Sequence, residues 1–281
     1  MEFWPFLILK LNLLQLAAGL AFSLLTALIS YRYKTISFSG ACGMIVIGTI
    51  VFGLGGAIFA IPLIFFFVSS SSLSAIKTAG KRNTIVISHK SGPRDIWQVL
   101  ANGGAGVVAV IIYFVTGNII WYFAFLASLC EATSDTWATE IGTLLTNSPI
   151  SIVTLQRVET GQSGGLTILG TFGAIGGTFV TMLIARSAGP LLHDLSLVGD
   201  KAWLVAANCG LVGCLLDSVL GGSIQVQYRC SNCHRIVERD NHCGLLASRV
   251  RGLKFVGNDL VNFVSCAFAA VMATIILLFG I

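Results

Sequence analysis

From residue 4 onward the chain alternates long apolar runs with short polar islands, and the runs have the length needed to cross a membrane. A transmembrane helix takes about 20 apolar residues, and in hydrocarbon every backbone polar group must be satisfied within the protein. Charged residues make up 10% of the 281 and hydrophobic residues 55%, with a mean hydropathy of +0.87. A soluble domain carries about 25% charged residues, so that class is excluded. Disorder, collagen-like repeats and coiled coils fail on the same grounds. The 31 glycines suit helices that pack closely in a bilayer. A net charge of +5 is too small and too dispersed for a nucleic-acid surface, so no nucleic-acid partner is expected.

The expected fold is all-α: a polytopic transmembrane helical bundle forming a single membrane-embedded domain over residues 1–281. Spans are predicted at 4–30, two within 40–76 divided at Gly53-Leu54-Gly55-Gly56, then 99–116, 119–130, 166–185, 202–222 and 261–281. Lys10 interrupts the first span and can snorkel to a surface. A cleaved signal peptide fits that segment poorly, because Glu2 stands where a basic region belongs and the apolar stretch is long. The count is eight, or seven if the short helix after Gly40 is re-entrant. Segments 31–39, 77–96, 134–164 and 223–257 together hold 14 of the 17 basic residues. With eight spans all four fall on one side, which the positive-inside rule assigns to the cytosol, with the N-terminus outside. The expected location is a multi-pass integral membrane protein with a cytosolic active face, in the plasma membrane if the source is prokaryotic.

Acids beside this inner face need a reason, since charge at membrane depth is costly. In Glu131-Ala132-Thr133-Ser134-Asp135-Thr136-Trp137-Ala138-Thr139-Glu140, a helix puts Glu131, Asp135 and Thr139 on one face, with Glu140 well round from it. Such oxygen donors suit Mg²⁺; solvated acids at an interfacial helix end are the alternative. Asp217, among Cys214, Leu215, Leu216, Val219 and Leu220, is expected to face the bundle interior, as a ligand or as a structural hydrogen-bonding group. Asn258, Asp259 and Asn262 open the last span, where capping and the helix dipole give a structural account and an inward amide–acid–amide face gives a functional one. Arg94, Asp95 and Asn102 open the fourth span. Arg157 precedes the turn Gly161-Gln162-Ser163-Gly164-Gly165, where Gly164 and Gly165 amides at a helix start could take phosphate. Acids for a metal and donors for phosphate, crowded on one face beside lipid, suggest phosphoryl transfer to a lipid-like acceptor. An ion-coupled transporter places its acids nearer the midplane; transporter and non-catalytic scaffold remain the alternatives.

Five of the eight cysteines lie in apolar spans. Cys230, Cys233 and Cys243 lie with His242 in the inner loop 223–257. Cys230-x2-Cys233 followed by His242-Cys243 supplies four Zn²⁺ ligands, although the adjacent second pair makes a cramped knuckle. Structural zinc, free reduced thiols and a redox role are all open.

The stretch Asp135-Thr136-Trp137-Ala138-Thr139-Glu140-Ile141-Gly142 resembles the integral-membrane family described as domain of unknown function 92, of the transmembrane protein 19 and phytyl-phosphate kinase type. Arg94-Asp95, Asn102-Gly103, Gly164-Gly165, Asp217-Ser218 and Asn258-Asp259 follow in the family's order, over roughly residues 30–281. The resemblance implies conversion of a prenyl monophosphate such as phytyl phosphate to its diphosphate, with CTP or ATP as donor. It implies that Asp135, Glu140, Asp217 and Asp259 act on or hold Mg²⁺. Arg94, Arg157, Gly164 and Gly165 would take phosphate, with Asn102, Asn258 and Asn262 in support. The prenyl chain is expected beside residues such as Phe65, Phe66 and Phe67.

Overall fold

The computed structural model describes residues 11–76, 78, 81, 86–87, 92–145, 148–191 and 198–280. Eight long helices form the bundle: α1 (Leu13–Arg32), α2 (Phe38–Gly55), α3 (Ala57–Ala75), α4 (Ile96–Thr116), α5 (Ile120–Gly142), α6 (Ile168–Ser187), α7 (Asp200–Ser223) and α8 (Asn258–Phe279). Their ends follow local chemistry. Asn12, Ser37, Asp95 and Thr167 accept hydrogen bonds from the first-turn amides of α1, α2, α4 and α6. Gly56, at φ 76°, breaks α2 from α3, and Gly117, at φ 67°, ends α4 in the left-handed region that favours glycine.

Two expectations about length are corrected. The helix after Gly40 is not short: α2 runs 18 residues, enough to span. The fifth helix does not stop at Cys130 but continues to Gly142, because Glu131 and Asp135 are enclosed by other helices instead of marking a surface. Among the described residues, seven helices are long and apolar enough to cross a membrane. The eighth, α5, carries three acids, yet Tyr122 through Ser134 are all buried without interruption. It packs against α3, α4, α6, α7 and α8 and forms the bundle's axis. A helix buried all round is the expected partner of an enclosing ring.

Close approach around α5 depends on small residues. A Cβ on Gly210 of α7 would lie 2.5 Å from Cys130 Cβ and 2.9 Å from the Glu131 nitrogen. At the periphery, α1 packs on α2 through a stripe of Gly19, Ser23, Ala27 and Ser30, the pattern that lets membrane helices touch backbones.

The four inner segments meet in space. Ile36 and Arg94 form a parallel bridge, and Ser37 N donates to the Arg94 carbonyl at 2.9 Å. Glu238 N donates to the Ile87 carbonyl at 2.9 Å, and Arg239 Nη2 to the Val86 carbonyl at 2.6 Å. Arg235 lies 3.9 Å from Glu159. Among the basic residues of 77–96, Lys77, Arg82 and Lys90 lie outside the described residues. On the opposite face Arg186 pairs with Asp200, and Lys201 Nζ donates to the Gly280 carbonyl. The inner loops hold the short strands: β1 (Ile150–Ser151) with β2 (Gly165–Leu166), β3 (Gln227–Arg229) between β4 (Ile236–Val237) and β7 (Ser248–Arg251), and β5 (Asn241–His242) with β6 (Leu245–Leu246).

Gly210→Ala is expected to force α5 and α7 apart at a cost of about 1–3 kcal/mol, read as a lower thermal midpoint in detergent. Gly176→Ala, whose methyl would meet nothing nearer than Trp137 at 3.9 Å, should leave that midpoint unchanged or raise it.

Candidate active site at the inner helix ends

Four helices bring their polar side chains to one point. Glu131 and Asp135 stand one turn apart on α5, and the charges of both interact with that of Asp217 on α7. Glu131 is 1% exposed and Asp217 8%. The Cys266 thiol of α8 donates to Glu131 Oε2 at 2.6 Å, whereas Glu131 Oε1 accepts no hydrogen bond from the described residues. The Asn262 amide links three helices. One end lies 3.3 Å from Asn102 Oδ1 on α4; the other lies 3.3 Å from Asp217 Oδ2 and 2.9 Å from the Asn258 carbonyl oxygen. Turned with its NH₂ towards Asp217, Asn262 donates to both. Thus Glu131, Asp135, Asp217, Asn102, Asn258 and Asn262, read from separate stretches of sequence, form one nest of oxygen donors.

Glu140 belongs elsewhere. It lies well round the helix from Glu131 and faces α3, where Lys81 Nζ pairs with Glu140 Oε2 at 2.5 Å and the Ser74 hydroxyl donates to Oε1. The Lys81 ammonium also donates to the Leu73 carbonyl. Arg94 stands close enough for the Glu140 carboxylate to offset the burial that disfavours its guanidinium charge. Sequence reasoning missed Lys81 and Ser74 as partners of Glu140. The available signal was the serine run 69–72 and Ser74 inside an apolar helix, from which Ser69 also accepts a hydrogen bond from Trp137 Nε1 at 3.3 Å.

Asp95, Gly164 and Gly165 have structural work of their own. Asp95 and Gln98 form a reciprocal capping box on α4, Asp95 Oδ1 accepting from Gln98 N at 3.0 Å and Gln98 Oε1 from Asp95 N at 3.1 Å. The Gly165 amide donates to the Gln162 carbonyl at 3.1 Å, and the residue sits in a hairpin, not at the start of α6. Gly164, at φ 81°, allows the loop to press on α7, since a Cβ there would lie 2.4 Å from Gly222 Cα. Arg157 is exposed on the same hairpin.

The loop 223–257 contributes a residue the sequence did not single out. Glu238 is buried and accepts hydrogen bonds from the Ser163 hydroxyl and from Gln225 Nε2, the latter at 2.9 Å. It ties the Gln162–Gly165 turn to the α7–α8 connection. Within the loop, the Cys230 thiol is drawn down to about 6, first by the Cys233 backbone amide and then by His242.

Above the nest lies a cavity of about 860 Å³ between the first turns of α4 and α8, bounded by Trp97, Glu238, Lys254, Phe255, Asp259 and Phe263. Asn258 lines this cavity, and its carbonyl oxygen lies 2.9 Å from the Asn262 amide; Glu131, Asp135 and Asp217 are not among the lining residues. Its rim carries exposed Trp97 and Phe255. Asp259 belongs to this cavity wall. The expected lining by Phe65–Phe67 is not seen there: Phe66 is in the bundle core and Phe65 meets Trp137 at a tilt, ring centroids 6.3 Å apart, because α3 packs inward against α5.

The model of the integral membrane protein family DUF92 matches residues 21–270, which include every member of the nest. The chain belongs to this family. It is 30% identical over 285 residues to Protein PGR of Arabidopsis thaliana, covering 93% of this chain and 96% of that protein. It is 26% identical over 243 residues to an uncharacterized membrane protein of Methanocaldococcus jannaschii, covering 86% and 93%. Protein VTE6, chloroplastic, of Arabidopsis thaliana is 22% identical over 243 residues, covering 85% of this chain and 64% of that protein. No solved structure matches the chain.

If Asp95 acts as a cap, Asp95→Ala should cost about 0.5–2 kcal/mol of stability while Asp95→Asn, which still accepts from Gln98, costs much less. Thermal unfolding of the two variants in detergent checks this.

Proposed function

We propose that this protein is a membrane prenyl-phosphate kinase, moving a phosphoryl group from a nucleoside triphosphate, CTP or ATP, to a prenyl monophosphate such as phytyl phosphate. The observation that carries the reading is the group of buried carboxylates Glu131, Asp135 and Asp217, with a cavity rimmed by Trp97 and Phe255 at the first turns of the neighbouring helices α4 and α8. The resemblance to phytyl-phosphate kinases supports the same substrate class. The alternative reading is a transporter of a lipid-like anion, since such proteins hold acids near the midplane and Glu131 stands at the midpoint of α5.

The donor set fits Mg²⁺, a hard cation that takes carboxylate oxygens and keeps several waters. Glu131 Oε1, buried with no hydrogen-bond donor among the described residues, has a lone pair available to it. On this reading Glu131, Asp135 and Asp217 hold the ion, which when bound neutralises phosphate charge and aligns the reacting oxygens. Turned with its NH₂ towards Asp217, Asn262 orients that carboxylate and is itself held by the Asn258 carbonyl. Lys254, on the cavity wall, replaces Arg157 as the cation within reach of an anionic headgroup. Asp259, beside it, orders water or metal-bound groups in the same cavity. Glu140 acts indirectly, holding Lys81 and Arg94 at the inner ends of α3 and α4. The monophosphate oxygen that attacks is already ionised near neutral pH, so catalysis needs positioning and charge neutralisation more than a strong base. The prenyl tail leaves the cavity past Trp97, Phe255 and Phe263 towards the lipid.

Purified protein with Mg²⁺ should transfer label from CTP or ATP to a prenyl monophosphate. Asp135→Asn should lower kcat by about 10²-fold or more with the thermal midpoint retained. Unchanged transfer in Asp135→Asn, or anion flux into liposomes without nucleotide consumption, would exclude the assignment.

A further inference from the structure

We infer that the α7–α8 loop is built around a structural zinc ion held by Cys230, Cys233, His242 and Cys243. The four ligand atoms all lie within 4.8 Å of one another. His242 Nδ1 is 3.4 Å from Cys233 Sγ and 3.3 Å from Cys243 Sγ. A tetrahedral site with Zn–S of about 2.3 Å and Zn–N of about 2.0–2.1 Å sets neighbouring S···N atoms about 3.6 Å apart and S···S atoms about 3.8 Å apart. The cluster is therefore already at coordination size. All three cysteines are free thiols, and Cys230 is buried in the centre of the loop.

From the sequence, adjacent His242 and Cys243 make a cramped second knuckle. The backbone relieves the crowding. Cys243 and Gly244 have φ of 55° and 74°, closing a tight turn between β5 and β6, so that consecutive side chains converge on one point. On the other side of the cluster, Cys230 and Cys233 lie in the connection from β3 to β4, which closes with His234 N donating to the Cys230 carbonyl at 3.0 Å and Cys230 N to Arg235 at 3.0 Å. His234 itself is exposed, at φ 60°, and is not a ligand. Two such turns facing each other are the arrangement by which short Cys-x2-Cys-type hairpins hold zinc.

Among the described residues the loop has little apolar core to fix its shape. Its strands are two to four residues long, and Leu245 and Leu246 are exposed, so buried apolar area is small. Segments with so little core are ordinarily held by a metal or by disulfides. Yet the loop must be placed accurately. Val237 is fully buried, and Glu238, next to it, carries the hydrogen bonds to Ser163 and Gln225. With four protein ligands the site is closed and offers no position for substrate, so the zinc is structural. It stands independently of the kinase reading, because the ion holds the loop whatever chemistry lies beneath it.

Tag-free, full-length protein purified in detergent without added metal should contain about one zinc per chain by mass spectrometry. Cys230→Ser, Cys243→Ser and His242→Ala should each reduce bound zinc by roughly tenfold or more, whereas Cys42→Ser, an exposed thiol in α2, should retain it. His242→Cys, which rebuilds a four-ligand set, should keep the ion and thereby separates ligand loss from misfolding. Cobalt exchanged into the protein should give the intense visible bands of a tetrahedral thiolate site. Wild-type protein without zinc whose three loop thiols react with maleimide as readily as Cys42 would overturn the proposal. So would zinc content unaffected by His242→Ala and Cys243→Ser together.

Discussion

The burial of α5 is the constraint on which the rest depends. A carboxylate such as Glu131 at 1% exposure would cost several kcal/mol in isolation, so it persists only where neighbours supply compensating groups. For Glu131 that neighbour is the Cys266 thiol, and for Asp217 it is the Asn262 amide. To deliver them, α7 and α8 must each reach α5 closely, and α7 does so through Gly210 and Gly213, where side chains would collide with Cys130 and Glu131. The packing of the bundle and the polarity of its centre are one problem with one solution.

Above that centre the inner loops are arranged in order. The Asn262 amide lies between Asp217 and the Asn258 carbonyl, the cavity is walled by Lys254 and Asp259, and Glu238 fastens the covering loop to the Gln162–Gly165 turn. The loop in turn is organised about a Cys₃His cluster. Each layer restricts the freedom of the one beneath it, which is how a site assembled from distant stretches of sequence acquires a fixed geometry.

Much of this was legible beforehand, for identifiable reasons. Span positions and their common inner side follow from hydropathy and from where Lys and Arg fall, since the bilayer imposes both. Gly56 and Gly117 announced their turns because few other residues adopt positive φ cheaply. The Glu131–Asp135 pair followed from helix periodicity. What could not be read were choices between partners of similar chemistry. Glu140 meets Lys81 and not Asp135, because α3 folds back against α5, a tertiary fact. Gly164 and Gly165 look like an anion-binding turn, but their backbone is committed to a hairpin and to contact with Gly222. α5 carries too many acids to read as a simple span, although it is the most enclosed helix, because composition reports lipid exposure and not burial in protein.

The most direct test of a divalent-cation site at the α5 and α7 carboxylates Glu131, Asp135 and Asp217 is Mn²⁺ binding followed by electron paramagnetic resonance in detergent. With a non-hydrolysable nucleotide analogue present, wild-type protein should bind about one ion tightly, and the Glu131→Gln/Asp217→Asn variant should lose it while remaining folded. Equal Mn²⁺ binding by the two proteins would contradict the account.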